Sequence, residues 1–126
     1  MRSVTSSGSR RSLRSTTARG RAAERRARLF YALRGYRVLG VNVRAGGNEL
    51  DLILRRGARL VFCEVKAKGD DRFGDPFEMV GPEKERRLRR AAEAWLATRP
   101  ELDGLDVSFD VVAFRAGRLE RLTDAF

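Results

Sequence analysis

Residues Asn48 to Lys68 read NELDLILRRGARLVFCEVKAK. Two apolar runs, Glu49 to Arg55 and Leu60 to Ala67, flank Arg56-Gly57-Ala58-Arg59. A glycine at the first central position of a two-residue loop suits a tight reverse turn, so the stretch reads as a β-hairpin. Charges interrupt both runs where a core strand would carry Val or Leu. Side chains alternate along a strand. Glu49, Asp51 and Ile53 therefore share one face, and Leu50, Leu52 and Leu54 the other. On the second strand Leu60, Phe62, Glu64 and Lys66 face one way, and Val61, Cys63, Val65 and Ala67 the other. With Gly57-Ala58 as the turn, Arg56 meets Arg59. Counting outward then sets Asp51 opposite Glu64 and Glu49 opposite Lys66. Side chains paired in this way have Cβ atoms about 4.5–5.5 Å apart.

Two carboxylates that close repel each other, and burial makes the conflict expensive. A divalent cation removes it. Mg takes about six oxygens, commonly from one or two carboxylates, substrate phosphates and water. An ion held by Asp51 and Glu64 would polarise a phosphoryl oxygen and acidify a bound water. Lys66 would orient that water or stabilise charge on the phosphate. This is the chemistry of phosphodiester hydrolysis. A plainer arrangement has Glu49 paired with Lys66 on an exposed face, with Asp51 and Glu64 in water, as on many edge strands.

Composition narrows the chemistry further. The chain has no histidine, which excludes Ser-His and Cys-His catalysis and His-ligated zinc. Its one cysteine, Cys63, excludes a disulfide framework and a cysteine metal cluster, and fits a reducing, cytoplasmic compartment. A metal here would be held by carboxylates, which favours Mg or Mn. No run approaches the roughly 18 apolar residues of a membrane span. Arg10-Arg11 is not followed by the apolar run of an export signal, although an Arg- and Ser-rich, acid-free start also resembles an organelle transit peptide. The net charge is +10. Residues 1–21 carry six arginines and no acid, residues 22–40 five more against Glu24, and from 41 to 126 the charges cancel. A basic arm of this kind suits a polyanion such as nucleic acid. A solubilising tail is the alternative.

Outward from the hairpin, residues 1–17 are almost free of apolar side chains and read as a disordered basic tail. Residues 18–126 suffice for one domain around one core. Ala23, Ala27, Phe30 and Tyr31, and likewise Ala22, Leu29 and Leu33, recur at helical spacing from Ala18 to Arg34, with Gly35 as the stop. Tyr36 to Arg44 reads as a strand and Ala45-Gly46-Gly47 as a turn. Gly69 to Gly81, with Phe73 and Phe77, reads as a loop: a substrate wedge or a dimer contact. Pro82 opens a helix to about Thr98, and Val107 to Phe114 is a last strand. The order α-β-β-β-α-β gives an α/β domain with a mixed sheet. In the second helix Lys84, Leu88, Ala91 and Trp95 form one stripe. Lys84 therefore either reaches the carboxylates or snorkels to water. Arg86, Arg87, Arg89 and Arg90 are a solvated surface or phosphate contacts.

An Asp followed on the next strand by Glu-x-Lys, in this element order, resembles the PD-(D/E)XK nuclease superfamily. More narrowly, the chain is similar to the YraN family of small bacterial proteins. The likeness runs through Gly20, Ala23-Glu24, Ala27, Gly35-Tyr36, Asn42, Arg44, Glu49 to Ile53, Val61-Phe62, Glu64-Val65-Lys66, Phe73-Gly74, Lys84 and Phe109 to Val112. The resemblance implies a restriction-endonuclease-like domain, related to Holliday junction resolvases. It implies Asp51, Glu64 and the Val65 carbonyl as Mg or Mn ligands, Lys66 as the catalytic lysine, and Glu24 as a further acidic ligand. Spacing alone would not select Glu24, which on an Arg-rich helix is usually an ion-pair partner. Leu50 stands where the superfamily name has Pro, and Asn48 where Gly is expected. The function expected is a metal-dependent nuclease acting on DNA, with branched or junction DNA among its substrates. A two-fold homodimer would suit junction cutting. The alternatives are a catalytically silent nucleic-acid-binding protein of the same fold, or an adaptor whose basic arm meets a DNA-processing partner.

Overall fold

The computed structural model describes residues 18–67 and 81–126, with side chains from residue 20 onward. The expected basic tail over 1–17, and the expected loop over 69–81 apart from Gly81, lie outside the described residues. So do Phe73 and Phe77.

The order is α1 (Ala18–Ala32), β1 (Arg37–Ala45), β2 (Asn48–Arg56), β3 (Arg59–Lys66), α2 (Pro82–Ala97), a 3-10 turn (Pro100–Leu102), β4 (Asp106–Arg115) and β5 (Arg118–Leu122). One five-stranded sheet runs β1-β2-β3-β4-β5. Its β3–β4 pair is parallel and the other three are antiparallel. The expected mixed sheet is present. It also has a fifth strand that the sequence did not announce, since Arg118 to Leu122 lacks a sustained apolar alternation and its turn places Ala116 at a positive φ of 52°.

Local chemistry explains the element ends. Gly35 leaves α1 at φ +88°, a left-handed conformation that costs glycine little. Gly46 and Gly47 both take positive φ, 57° and 80°, as the tight β1–β2 turn requires. Gly57 does so at 59° in the β2–β3 turn. Pro82 opens α2, with Glu83 and Glu85 in the first turn, where negative charge meets the positive end of the helix dipole.

The helices cover opposite faces of the sheet. Ala23, Ala27 and Tyr31 of α1 pack with Leu52, Leu54, Val61, Cys63, Val112 and Phe114. Leu88, Ala91, Ala92 and Trp95 of α2 pack with Leu50, Ile53, Leu60, Phe62 and Phe109. Each fully buried Leu or Val contributes about 1.5–3 kcal/mol before ordering costs. Leu29 and Leu33, expected on an apolar stripe of α1, are instead exposed (58% and 74%), because Ala27 and Tyr31 set the buried face on the opposite side of the helix, two residues away at about 100° per residue. No described helix is long and apolar enough to cross a membrane.

The α1 face also encloses a charge. Asp110 is 1% exposed. Its carboxylate accepts hydrogen bonds from the Tyr31 hydroxyl (2.7 Å), the Ser108 hydroxyl (3.0 Å), Arg121 Nε (3.1 Å) and the Asp124 N–H (3.4 Å). This one group joins α1, β4, β5 and the C-terminal segment. Burial and the adjoining Cys63 and Asp110 raise the Tyr31 pKa, so its hydroxyl remains a donor. Replacing Asp110 by Ala leaves Arg121 and Tyr31 without their acceptor. The expected loss is about 3–5 kcal/mol in urea denaturation, against about 1–3 kcal/mol for Tyr31→Phe.

Candidate active site

The β2–β3 ladder runs from Arg56–Arg59 through Leu54–Val61 to Leu52–Cys63, in the register expected from the Gly57-Ala58 turn. It ends there. One step further out, Val65 N–H donates to Asp51 Oδ2 at 2.9 Å, so a side chain meets a β3 backbone donor. Neither expected outer pair, Asp51–Glu64 or Glu49–Lys66, is part of the ladder; the Asp51 carboxylate takes the Val65 N–H, and Lys66 turns to Glu64.

β2 changes faces at the same point. Leu52 and Leu54 pack on the α1 side, but Leu50 packs with α2. The expectation that Leu50, Leu52 and Leu54 share one face is therefore incorrect. The cause lies on β1. Between the pairs Val41–Leu52 and Val43–Leu50 stand Asn42 and Asp51, and Asn42 has φ +51°. A left-handed residue inside a strand breaks the alternation, so Val41 packs against the α1-side cluster and Val43 against the α2-side cluster. The sheet forks, and the fork opens a cleft.

The cleft holds about 450 Å³ and is lined by Glu24, Asn42, Glu49, Asp51, Glu64, Val65 and Lys66, with Gly20, Asn48, Ala67, Lys84, Arg87 and Leu88. All six site residues expected from the sequence, Glu24, Asp51, Glu64, Val65, Lys66 and Lys84, thus face one space. Glu64 is the electrostatic hub. Its Oε2 is 2.9 Å from Lys84 Nζ and 3.4 Å from Lys66 Nζ. The Glu64 side chain is only 11% exposed. Lys84 therefore reaches the carboxylate and does not snorkel to bulk water.

Asp51 is strained electrostatically. Burial and the neighbouring Glu64 push its pKa up to about 7, opposed by the Val65 N–H and Lys84. Glu24, on α1, is also raised, mainly by burial, with the Asn42 amide and Arg28 acting the other way. Among the described residues no three Asp, Glu, Cys or His side chains converge as a ready-made metal cluster. Asp51 and Glu64 interact as a pair, while the Asn42 amide answers Glu24. Sequence reasoning gave Asn42 no role beyond the resemblance, because asparagine tolerates a left-handed φ but does not require one. It left Arg87 undecided between a solvated surface and a phosphate contact.

The sequence profile of the "Uncharacterised protein family UPF0102" matches residues 23–114. The chain belongs to this family. It is 39% identical over 108 residues to a UPF0102 protein of Klebsiella pneumoniae subsp. pneumoniae, covering 85% of this chain and 84% of that one. It is 42% identical over 119 residues to a UPF0102 protein of Frankia alni, covering 90% and 98%. It is 38% identical over 123 residues to the UPF0102 protein YraN of Escherichia coli O1:K1 / APEC, covering 97% and 93%. The expected relation to YraN is thereby shown, and the family match spans the fork, most of α1, all of α2, and Tyr31, Ser108 and Asp110 of the buried network.

Because the folded chain holds the Asp51 proton more tightly than the unfolded chain does, this group favours folding at low pH. That contribution is lost as pH rises from the ordinary carboxylate range towards 7. In metal-free buffer, wild-type stability should fall by up to about 1.4 kcal/mol per pH unit between pH 5 and 7 relative to Asp51→Asn. Urea midpoints of the two proteins across that range measure it.

Proposed function

We propose that the cleft is the active centre of a Mg- or Mn-dependent nuclease that hydrolyses phosphodiester bonds in DNA, with branched or junction DNA as the fitting substrate. The observation that carries this reading is the convergence of Asp51 and Glu64 with two lysines in a single cleft at the fork of the sheet. The donor set fits a hard divalent ion. Two carboxylates in a partly buried site, one holding its proton up to about pH 7 because of burial and of the other's charge, gain most from a shared positive charge. Asp51 and Glu64 would hold the ion, with Glu24 and the Val65 carbonyl as further donors. When bound, it would polarise a phosphoryl oxygen.

The chain's own groups divide the remaining work. The Val65 N–H fixes the Asp51 carboxylate, so this ligand does not swing with solvent. Lys66 is held on β3 beside Glu64 and offers its ammonium to the charge that develops on the phosphate. Glu24, less acidic than an ordinary carboxylate, stands on α1 at the same cleft, where an ion would draw it into its ionised form. Arg87 at the rim meets the phosphate backbone, and the arginine-rich first 40 residues supply the long-range attraction to the polyanion.

A second reading, a nucleic-acid-binding module without turnover, draws support from one feature. Lys66 and Lys84 already balance the charge of Glu64. That protein would bind nucleic acid with a steep salt dependence and indifference to Mg.

Purified protein incubated with duplex, flap, junction and single-stranded DNA and RNA, with Mn or with chelator, separates the two. A nuclease cuts at least one form with Mn, and Asp51→Ala/Glu64→Ala abolishes the cutting. Cleavage that survives the double replacement defeats the assignment. Mn should also raise the melting temperature of the wild type, with about 2.7 kcal/mol of stabilisation at a hundredfold excess over its Kd, and leave Asp51→Ala unmoved.

A further inference from the structure

Lys84 occupies an unfavourable place. It is the third residue of α2, inside the first turn, where the helix dipole is positive and a cation is disfavoured. It also continues the stripe of Leu88, Ala91 and Trp95, all buried, at a position where an apolar side chain would pack. Neither local propensity nor packing calls for lysine. Its ion-pair partner explains it: Lys84 Nζ lies 2.9 Å from Glu64 Oε2, within ordinary charge-assisted hydrogen-bond range. Lys66 reaches the same oxygen from 3.4 Å. Two ammonium groups therefore crowd one oxygen of a proposed ligand, and Lys84 also lowers the pKa of Asp51 through space.

We propose that Lys84 is a resident counter-ion which a divalent cation must displace from Glu64, so that Lys84 and the ion compete for the same carboxylate. The proposal rests on reading the cleft as a cation site. Without metal, the Lys84 ammonium neutralises the acidic pair and ties the start of α2 to β3. With metal, the carboxylate cannot serve both at full strength, because the approaching ion and the ammonium repel at contact distance. The displaced ammonium, still tethered at the cleft wall, is then free to meet a phosphate oxygen. Lys66 differs in that it lies on the same strand as Glu64, two residues away, and at the longer distance. Lys84 is thus the nearer of the two, and it comes from a separate element.

The test is Mn binding to the full chain by isothermal titration calorimetry, with wild type, Lys84→Met and Lys84→Gln. Both variants remove the charge, and the methionine keeps the apolar stem that packs beside Leu88. Competition predicts that both bind Mn at least about fivefold more tightly than wild type, the low end of ordinary coupling between sites. Linkage is reciprocal, so Mn should also speed reductive methylation of the Lys84 amine, read by mass spectrometry. A folded variant with unchanged or weaker Mn affinity, beside a wild type that binds Mn, overturns the competition alone. If neither wild type nor variants bind millimolar Mn while circular dichroism shows them folded, the cation reading and this proposal fall together. Tighter binding to the variants, or binding to them alone, supports the proposal.

Discussion

The 2.9 Å hydrogen bond from the Val65 N–H to Asp51 governs the geometry of this protein. A central strand normally spends each N–H on its neighbour's carbonyl, because an unpaired backbone donor away from water is costly. Here a carboxylate takes that donor just beyond the last β2–β3 ladder pair, Leu52–Cys63. β2 can then leave β3 without stranding the amide. Together with the left-handed Asn42 on the neighbouring strand, which turns Leu50 away from the face of Leu52, this leaves the space into which both helices send charged side chains.

Much of this was readable in the residues. Gly57 fixed the turn, the turn fixed the register, and the register brought Asp51 within one step of Glu64. The α2 stripe pointed Lys84 inward, where it is found. What escaped the reading was the end of regular pairing. Alternation is a rule for an unbroken strand, and Asn42 breaks it with a backbone angle that its side chain tolerates but does not demand. The exposed Leu29 and Leu33 show a related limit. A helix rich in alanine carries several plausible apolar stripes, and contact with the sheet decides among them. β5 was missed because its pairing to β4 depends on a turn through Ala116 at positive φ, a choice no propensity favours.

The acidic centres at Asp110 and Asp51 obey different rules. Asp110 is met by four donors, including an arginine, and its environment is complete. Asp51 has one backbone donor and an acid for a neighbour, and its carboxyl is driven towards the neutral form. The first arrangement belongs to architecture and the second to a place that wants a further charge. Proteins tolerate such unsettled groups where the surrounding core over-determines the backbone, and two apolar layers do so here.

The tip of the β1–β2 hairpin bears on how the mouth of the cleft behaves. A Cβ added at Gly46 would come within 3.1 Å of the Arg90 carbonyl oxygen and 3.3 Å of the Ala91 Cα. Main chain therefore rests almost directly on main chain, with no flexible side chain between as a cushion. Hairpin and helix form a single stiff jaw, whose gape is set by backbone contact and is indifferent to most changes of surface residue. Any widening of the cleft falls to the opposite wall, where α1 carries Glu24.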